Sequence, residues 1–370
     1  MATALVWDER LMWHDAGNQF GPRSPWIEPG PPPESVETKR RIKSLCDASG
    51  LTARLTVLAP RPATRAELER VHTALYVDRI ETTSRAGGGN IASRAHTHIG
   101  GGGFEIACLA AGATITAVEA VMAGRVRNAY ALLRPPGHHA EADAGQGFCV
   151  FNNGAVAAAH AIAALGLSRV AIVDLDAHHG NGAQSIFWRD PRVLTISVHQ
   201  DRAFPLSVGD TTEQGEGPGH GFALNIPLPA GSSEAAYRAT MDRVILPALD
   251  LFQPELIIVA CGLDAGFMDP TARMLLSSDS FRLLTRALMG SADRLCDGRI
   301  VFTHEGGYHI QTVPFHALAV FETLSGIRTE VEDPFLAAAR ECAAPMLPHQ
   351  DAAITRAEAA LHAAPPTPRT

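Results

Sequence analysis

A chain of 370 residues with 46% hydrophobic and 19% charged content has the make-up of a soluble globular protein, long enough for one large α/β domain or two small ones. A net charge of −8 without a dense Lys/Arg run argues against direct nucleic-acid binding, and no apolar stretch of roughly 18 residues stands out to suggest a membrane span. The six cysteines, at positions 46, 108, 149, 261, 296 and 342, form no CxxC pair and read as buried thiols of a reducing compartment, which, with no basic-then-apolar leader at the start, gives a cytoplasmic expectation.

Residues 2–7 predict a first strand. The Gly- and Pro-rich segment 15–33, containing Phe20 and Trp26, predicts a long ordered loop that either packs over the surface or helps rim a pocket. Residues 35–48 read as a helix, with Thr38-Lys39-Arg40-Arg41 at its start, and 55–58 as a short strand. Thr64-Arg-Ala-Glu67 resembles a capping box opening a helix that runs toward Val71. Gly87-Gly-Gly and Gly100-Gly-Gly-Gly bracket Arg94, His96 and His98. Their spacing is not that of a phosphate loop, so a mobile or tightly folded active-site loop is expected, with both histidines facing solvent and not a metal.

An Ala-rich helix is predicted over 104–123, then a strand over 129–133 that enters Arg134-Pro-Pro-Gly-His138-His139. Phe148-Cys149 and Asn152-Asn153 precede a second Ala-rich helix ending near Leu165. Strands at 170–175, 193–198, 256–261 and 300–303 then alternate with helices at 233–251, 280–296 and 315–324. Such alternation predicts a parallel sheet covered on both faces. The tail 363–370, Ala-Ala-Pro-Pro-Thr-Pro-Arg-Thr, predicts disorder beyond a single domain of residues 1–362.

The chain is organised around Val170 to Gly182, which reads Val-Ala-Ile-Val-Asp-Leu-Asp-Ala-His-His-Gly-Asn-Gly. A strand buried on both faces runs into Asp174, Asp176, His178 and His179. Burying such groups unpaired costs several kcal/mol each, roughly, and a cation is an economical remedy. In an extended segment Asp174, Asp176 and His178 share one side, so a carboxylate and an imidazole two residues apart can converge on one ion. Parallel α/β sheets bind ligands beyond the carboxyl ends of their strands. Polar groups succeed the predicted strands: His138-His139, then Asp174, Asp176 and His178, then Asp264, then His304-Glu-Gly-Gly-Tyr308. Asp176, His178 and Asp264 supply one nitrogen and two oxygen ligands and leave a position open, as in catalytic zinc sites; Fe(II), Mn(II) or Co(II) would also suit them. His138 and His139 are then candidates for proton transfer and Tyr308 for donating to a carbonyl oxygen.

Arg134-Pro-Pro-Gly-His-His-Ala, Gly147-Phe-Cys-Val-Phe-Asn-Asn, Asp174-Leu-Asp-Ala-His-His-Gly-Asn-Gly, Gly262-Leu-Asp-Ala and Glu305-Gly-Gly-Tyr occur in one order. Together they resemble the zinc-dependent histone deacetylase family, and more closely its bacterial class II-like amidohydrolases, over about Thr38 to Gly326. The resemblance implies an arginase/deacetylase-type fold, a single parallel sheet between helices with long active-site loops. It makes Asp176, His178 and Asp264 the zinc ligands, and His138 and His139 the tandem histidines, with His139 the general base. Asp174 would orient His138, and Asn181 would stand behind His139, where Asn is the class II-like variant. Tyr308 would be the transition-state tyrosine, and Gly147, Phe148 and Phe204 would line a narrow acyl-lysine channel, although by themselves the two phenylalanines read as core aromatics. The resemblance also implies potassium held by Asp174, Asp176, His178, Ser197 and Val198, and a second, weaker alkali-ion site of Phe187, Asp190, Val193 and Phe222.

One departure stands out. Many members of the family carry an aspartate in the loop before the Phe104 helix, where it holds the substrate's backbone amides. Between Gly87 and Gly103 this chain has no Asp or Glu; Arg94 or Ala95 falls near that place. The expected reaction is hydrolysis of an acyl-lysine-like amide to acetate and a primary amine, with acetylpolyamines or other small N-acyl amines as the alternative substrates. An idle binding module is disfavoured by the complete ligand, histidine and tyrosine set. Arginase-like chemistry is disfavoured by too few strand-end carboxylates. A homo-oligomer is compatible with this reading.

Overall fold

The computed structural model describes residues 2–18, 26, 28, 30–92 and 97–367. One sheet is built from eight strands: β1 (Thr3–Val6), β2 (Thr56–Leu58), β5 (Asn128–Ala131), β6 (Val170–Asp174), β7 (Val193–Gln200), β8 (Ala223–Leu228), β9 (Leu256–Cys261) and β10 (Ile300–His304). Their order across it is β2-β1-β5-β10-β9-β6-β7-β8, with every pairing parallel. This is the arginase/deacetylase-type α/β architecture that the motif order implied.

Both faces of the sheet are covered, which is why its central strands are continuous runs of aliphatic residues. Side chains alternate across it. Ile257 and Val259 point into one core with Phe281 and Leu284 of α9 (Ser278–Leu295) and Val320 and Phe321 of α10 (Val313–Ser325). Leu256 and Ile258 point into the other, with the alanines of α4 (Gly103–Met122) and α5 (Asn153–Leu165). α1 (Val36–Ala48) and α12 (Pro348–Ala363) complete the first layer. Small residues on α4 and α5 let these helices lie close to the sheet. Gly112 of α4 instead seats the 61–63 segment, since a Cβ there would come within 1.8 Å of the Arg61 carbonyl.

Several expectations need correction. α4 is long and apolar enough to cross a membrane by composition, although no such stretch was anticipated; here it is a core helix, 78% buried in its most apolar window. The glycine-rich segment is no plain loop: β3 (Gly88–Asn90) pairs antiparallel with β4 (His98–Gly100), while Arg94 and His96, like Phe20, lie outside the described residues. β8 escaped prediction because Pro227 interrupts it. Proline is tolerated there because β8 is the sheet edge, where one side needs no donor, and α12, also unanticipated, packs over it. The helix expected over 233–251 is broken into α7 (Glu234–Thr240), one π turn over Met241–Ile245, and α8 (Leu246–Phe252). Pro247, lacking an N–H, cannot complete the α-helical ladder through that turn. The helix at Thr64 has its capping box but ends at Leu68. Cys342 is exposed, unlike the other five cysteines. Of the tail expected to be disordered, residues 363–367 are described and 368–370 lie outside the described residues.

Candidate active site

The central strands β5, β10, β9 and β6 are consecutive neighbours, and their registers end level: Asp174 lies beside Ala260, and Cys261 beside His304. The residues just beyond each strand therefore meet on one rim. Backbone donors hold the carboxylates in place there. Asp176 Oδ1 accepts from the His178 N–H at 2.9 Å and Asp176 Oδ2 from the Gly306 N–H at 2.8 Å. Asp264 Oδ1 accepts from the Ala177 N–H at 2.7 Å. Glycine is required at 262 and 306 because a Cβ would intrude on the acids: at 262 it would come within 2.2 Å of Asp176 Oδ2, and at 306 within 2.6 Å of both Asp176 Oδ2 and Asp264 Oδ2.

Asp176, His178 and Asp264 present ligand atoms that all lie within 4.8 Å of one another. His178 Nδ1 sits 3.0 Å from Asp176 Oδ1 and 2.8 Å from Asp264 Oδ2. Burial pushes the Asp264 carboxyl up to about 8, and the neighbouring Asp176 adds to that effect. Two buried acids against one imidazole nitrogen form a cradle whose negative charge a divalent cation would neutralise, and their N/O donor set fits zinc as well as harder first-row ions.

The tandem histidines sit beside this cradle in unlike settings. His138 Nδ1 is 2.9 Å from Asp174 Oδ2, and His138 Nε2 is 3.8 Å from Asp176 Oδ2. Burial alone would lower the His138 pKa, but Asp176 and Asp174 outweigh it and raise it to about 10. His139 Nδ1 instead meets a neutral amide, Asn181 Oδ1, at 2.8 Å. Burial, then the positive charges of His138 and His178, push its pKa well below the ordinary histidine value. One imidazole is held charged and its neighbour neutral.

Tyr308 is buried, and its hydroxyl oxygen lies 3.0 Å from the point a Cβ on Gly306 would occupy, beside the two acids. Burial and the charges of Asp176 and Asp264 raise its pKa well above 10, so it stays a hydroxyl donor. The Asp269 carboxylate fixes the Tyr308 backbone N–H at 2.8 Å. Phe148 adopts φ 70°, a strained setting for a phenylalanine, and its ring centroid lies 6.1 Å from that of Tyr308. Phe204 meets His139 edge-on at 4.8 Å. Gly147 lies between them, since a Cβ there would come within 2.4 Å of the His139 ring and 2.8 Å of the Phe204 ring. Both phenylalanines thus flank the histidine–tyrosine cluster instead of filling the core.

The potassium candidates fall where β6 and β7 pair. Ser197 lies opposite Asp174 in the register, with Val198 next along β7, and Ser197 Oγ accepts from the Gly180 N–H at 3.2 Å. Phe187, Asp190 and Val193 are linked through backbone bonds, Asp190 N–H to Phe187 O at 2.9 Å and Val193 N–H to Asp190 O at 3.4 Å. The Phe222 carbonyl is taken by the Thr195 N–H at 2.9 Å. His98 is in β4, half-buried and 3.8 Å from Asp15.

Sequence reasoning missed several supporting residues. Glu305 was quoted only as part of a motif, yet its Oε2 accepts from the Gly137 and His138 N–H groups at 2.7 and 3.0 Å and so fixes the histidine pair. Glu141, two residues beyond His139, bonds Asn181. Lys39, read as part of a helix start, is fully buried against Glu34 at 3.0 Å, and Glu34 also binds Arg134. A carboxylate or amine beside a motif was the only available signal, and such residues are usually solvated.

A family model of the histone deacetylase domain matches residues 32–324. The chain is 49% identical over 337 residues to a histone deacetylase-like amidohydrolase of Pseudomonas aeruginosa, covering 90% of this chain and 88% of that protein. It is 36% identical over 343 residues to polyamine deacetylase HDAC10 of Homo sapiens, covering 88% of this chain and 48% of that protein. Among solved structures, the crystal structure of the HDA15 HD domain superposes with a TM-score of 0.83 at 31% identity, covering 98% of this chain and 95% of that one.

Proposed function

This chain belongs to the histone deacetylase family, and from that premise we propose that it is a zinc-dependent amidohydrolase that cleaves N-acetyl or other N-acyl lysine-like amides to the carboxylate and a primary amine. The observation that carries the reading is the convergence of Asp176, His178 and Asp264 with the Tyr308 hydroxyl and the His138–His139 pair, between Phe148 and Phe204.

Asp176, His178 and Asp264 would hold the ion, whose chemistry when bound is that of a Lewis acid toward an acyl carbonyl and water. The protein's own groups have distinct tasks. His139 is neutral, and with Nδ1 bonded to Asn181 it takes the proton of the attacking water at Nε2. Tyr308 donates its O–H to the oxygen that gains charge as the carbonyl is attacked. His138, charged beside Asp174 and Asp176, sets the field around its neighbour. Either His138 or the newly protonated His139 passes a proton to the departing amine nitrogen as the C–N bond breaks. Phe148 and Phe204 confine the alkyl arm and exclude water from it. One or two potassium ions, at the Asp174, Asp176, His178, Ser197 and Val198 site and at the Phe187, Asp190, Val193 and Phe222 site, would stabilise the strand ends from behind. Release of acetate from an acetyl-lysine peptide by the zinc-loaded protein tests the reading.

A second reading makes small N-acyl amines, acetylpolyamines among them, the preferred substrates. It is favoured by the absence of any acid between Gly87 and Gly103, which leaves that loop without a carboxylate to grip peptide amides. The similarity to a polyamine deacetylase points the same way.

A further inference from the structure

Beyond the residues that touch a substrate, Asn181 raises a question of orientation. An amide side chain has nearly the same shape at both ends, and only its hydrogen-bond partners decide which end faces which neighbour. Asn181 has His139 Nδ1 on one side at 2.8 Å and Glu141 Oε1 on the other at 2.9 Å, and its NH2 also reaches the His139 carbonyl oxygen at a long 3.5 Å, so Glu141 is the nearer acceptor. A carboxylate only accepts, so it demands the NH2 end; with the carbonyl end toward Glu141, two acceptors would face each other at hydrogen-bond distance. The Asn181 carbonyl therefore faces His139, Nδ1 must carry the proton, and the Nε2 lone pair is left free. Glu141 is held by a second amide, the Gln146 side chain, which donates to the same oxygen at 2.9 Å. Gln146 and Asn181 are buried, and Glu141 between them is half-buried.

We propose that Glu141 is a positioning residue that fixes the tautomer of His139 through Asn181. The inference rests on the hydrolytic reading above for its functional meaning, but the tautomer itself does not. His138 has its carboxylate in direct contact, whereas His139 has its carboxylate one amide away. Direction is thus conveyed to His139 while full negative charge is kept off it.

The test uses the zinc-loaded 370-residue chain and two readouts. The first is the imidazole ¹⁵N–¹H correlation spectrum, with the His139 signals identified by their loss in His139→Ala. The parent should show His139 with the proton on Nδ1. Glu141→Gln keeps the shape but offers either end of an amide, and should populate the form with the proton on Nε2. The second is kcat on an acetyl-lysine peptide. Glu141→Gln should lower kcat by about 10-fold, as orienting residues behind a catalytic group do, with the melting temperature and zinc content held. In an Asn181→Asp background the sign should reverse. An acid at 181 accepts at both ends and is repelled by Glu141, so Glu141→Gln should raise that variant's kcat several-fold.

A residue with a merely structural role would lower activity in both backgrounds and leave the tautomer alone. An unchanged His139 spectrum in Glu141→Gln overturns the inference, as does equal loss in the two backgrounds. If the parent hydrolyses no acyl amide, the proposed function falls, while the spectrum still decides the role of Glu141.

Discussion

His138 and His139 lie with their ring centroids 3.9 Å apart, yet Asp176 and Asp174 raise the pKa of one, while burial and the neighbouring positive charges lower that of the other, which meets only the Asn181 amide. Asp174 is the group to alter. Asp174→Asn removes a negative charge and an acceptor from His138, whose raised pKa of about 10 keeps it cationic at neutral pH. Loss of the acid lowers that pKa, so the alkaline limb of the kcat profile should move to lower pH. At neutral pH kcat should drop by roughly 10–100-fold, as for groups that orient a catalytic residue. A kcat–pH series at saturating potassium chloride checks this. An alkaline limb that stays in place would mean His138 is not needed in its charged form.

Tyr308→Phe should retain fold and zinc and lose on the order of 10²–10³ in kcat, the usual effect of deleting one oxyanion donor. Steady-state kinetics with zinc content measured in parallel would decide. Activity within about threefold of the parent would place the Tyr308 hydroxyl away from the reacting carbonyl.

Chelation should abolish turnover, and added zinc should restore it. Because Asp176 and Asp264 are buried facing each other's charge, the metal should also stabilise the fold, by about 2.7 kcal/mol at free zinc a hundredfold above its Kd. Asp264→Ala should remove both the activity and the zinc-dependent rise in melting temperature. Full activity after dialysis into metal-free buffer would end the metal assignment.

Beneath the site, Glu34 bridges Lys39 at 3.0 Å and Arg134 at 2.8 Å, with all three side chains 5% exposed or less. Removing the acid strands two buried cations. Glu34→Ala should therefore cost about 3–5 kcal/mol of unfolding free energy, against near-zero for a typical exposed pair such as Arg40–Glu9. Denaturant titration of Glu34→Ala and Glu9→Ala gives the comparison, and equal costs would refute it.

An acetyl-lysine tripeptide and a mono-acetylated alkyl diamine of matching arm length should have similar kcat/KM, because no acid between Gly87 and Gly103 grips a peptide backbone. A charge-assisted bond contributes roughly 1.5–3 kcal/mol, so a retained grip would be visible. A preference for the peptide above about 100-fold, which is about 2.7 kcal/mol, would mean that another loop supplies the acceptor.

The sheet and its rim were legible because two strong signals coincided. Aliphatic runs such as Val170–Val173 and Leu256–Cys261 specify strands buried on both faces, and each has an acid within three residues of its end, Asp174 and Asp264. The motif chain Asp174 to Asn181 then gave two of the three ligand candidates, Asp176 and His178, directly, since alternation along a short extended segment is a local property; Asp264 came from the end of a separate strand. Local rules also set the caps and the Ala-rich helices. They failed where context overrides them: Pro227 belongs to a strand only because that strand lies at the sheet edge, and Lys39 is buried only because Glu34 and Arg134 come to meet it.

The amino-acid sequence by itself determined the fold class, the order of the central elements and the residues able to bind a metal or move a proton. Tertiary structure alone decided their division of labour. That His138 faces an acid while His139 faces an amide backed by Glu141 depends on contacts between residues 36 to 42 positions apart. That Tyr308 reaches the two acids depends on how β6, β9 and β10 end side by side. Charge interactions act through space over a few ångströms, so a chain read in order can name the charged groups, and only the folded chain sets the distances that assign them their protons.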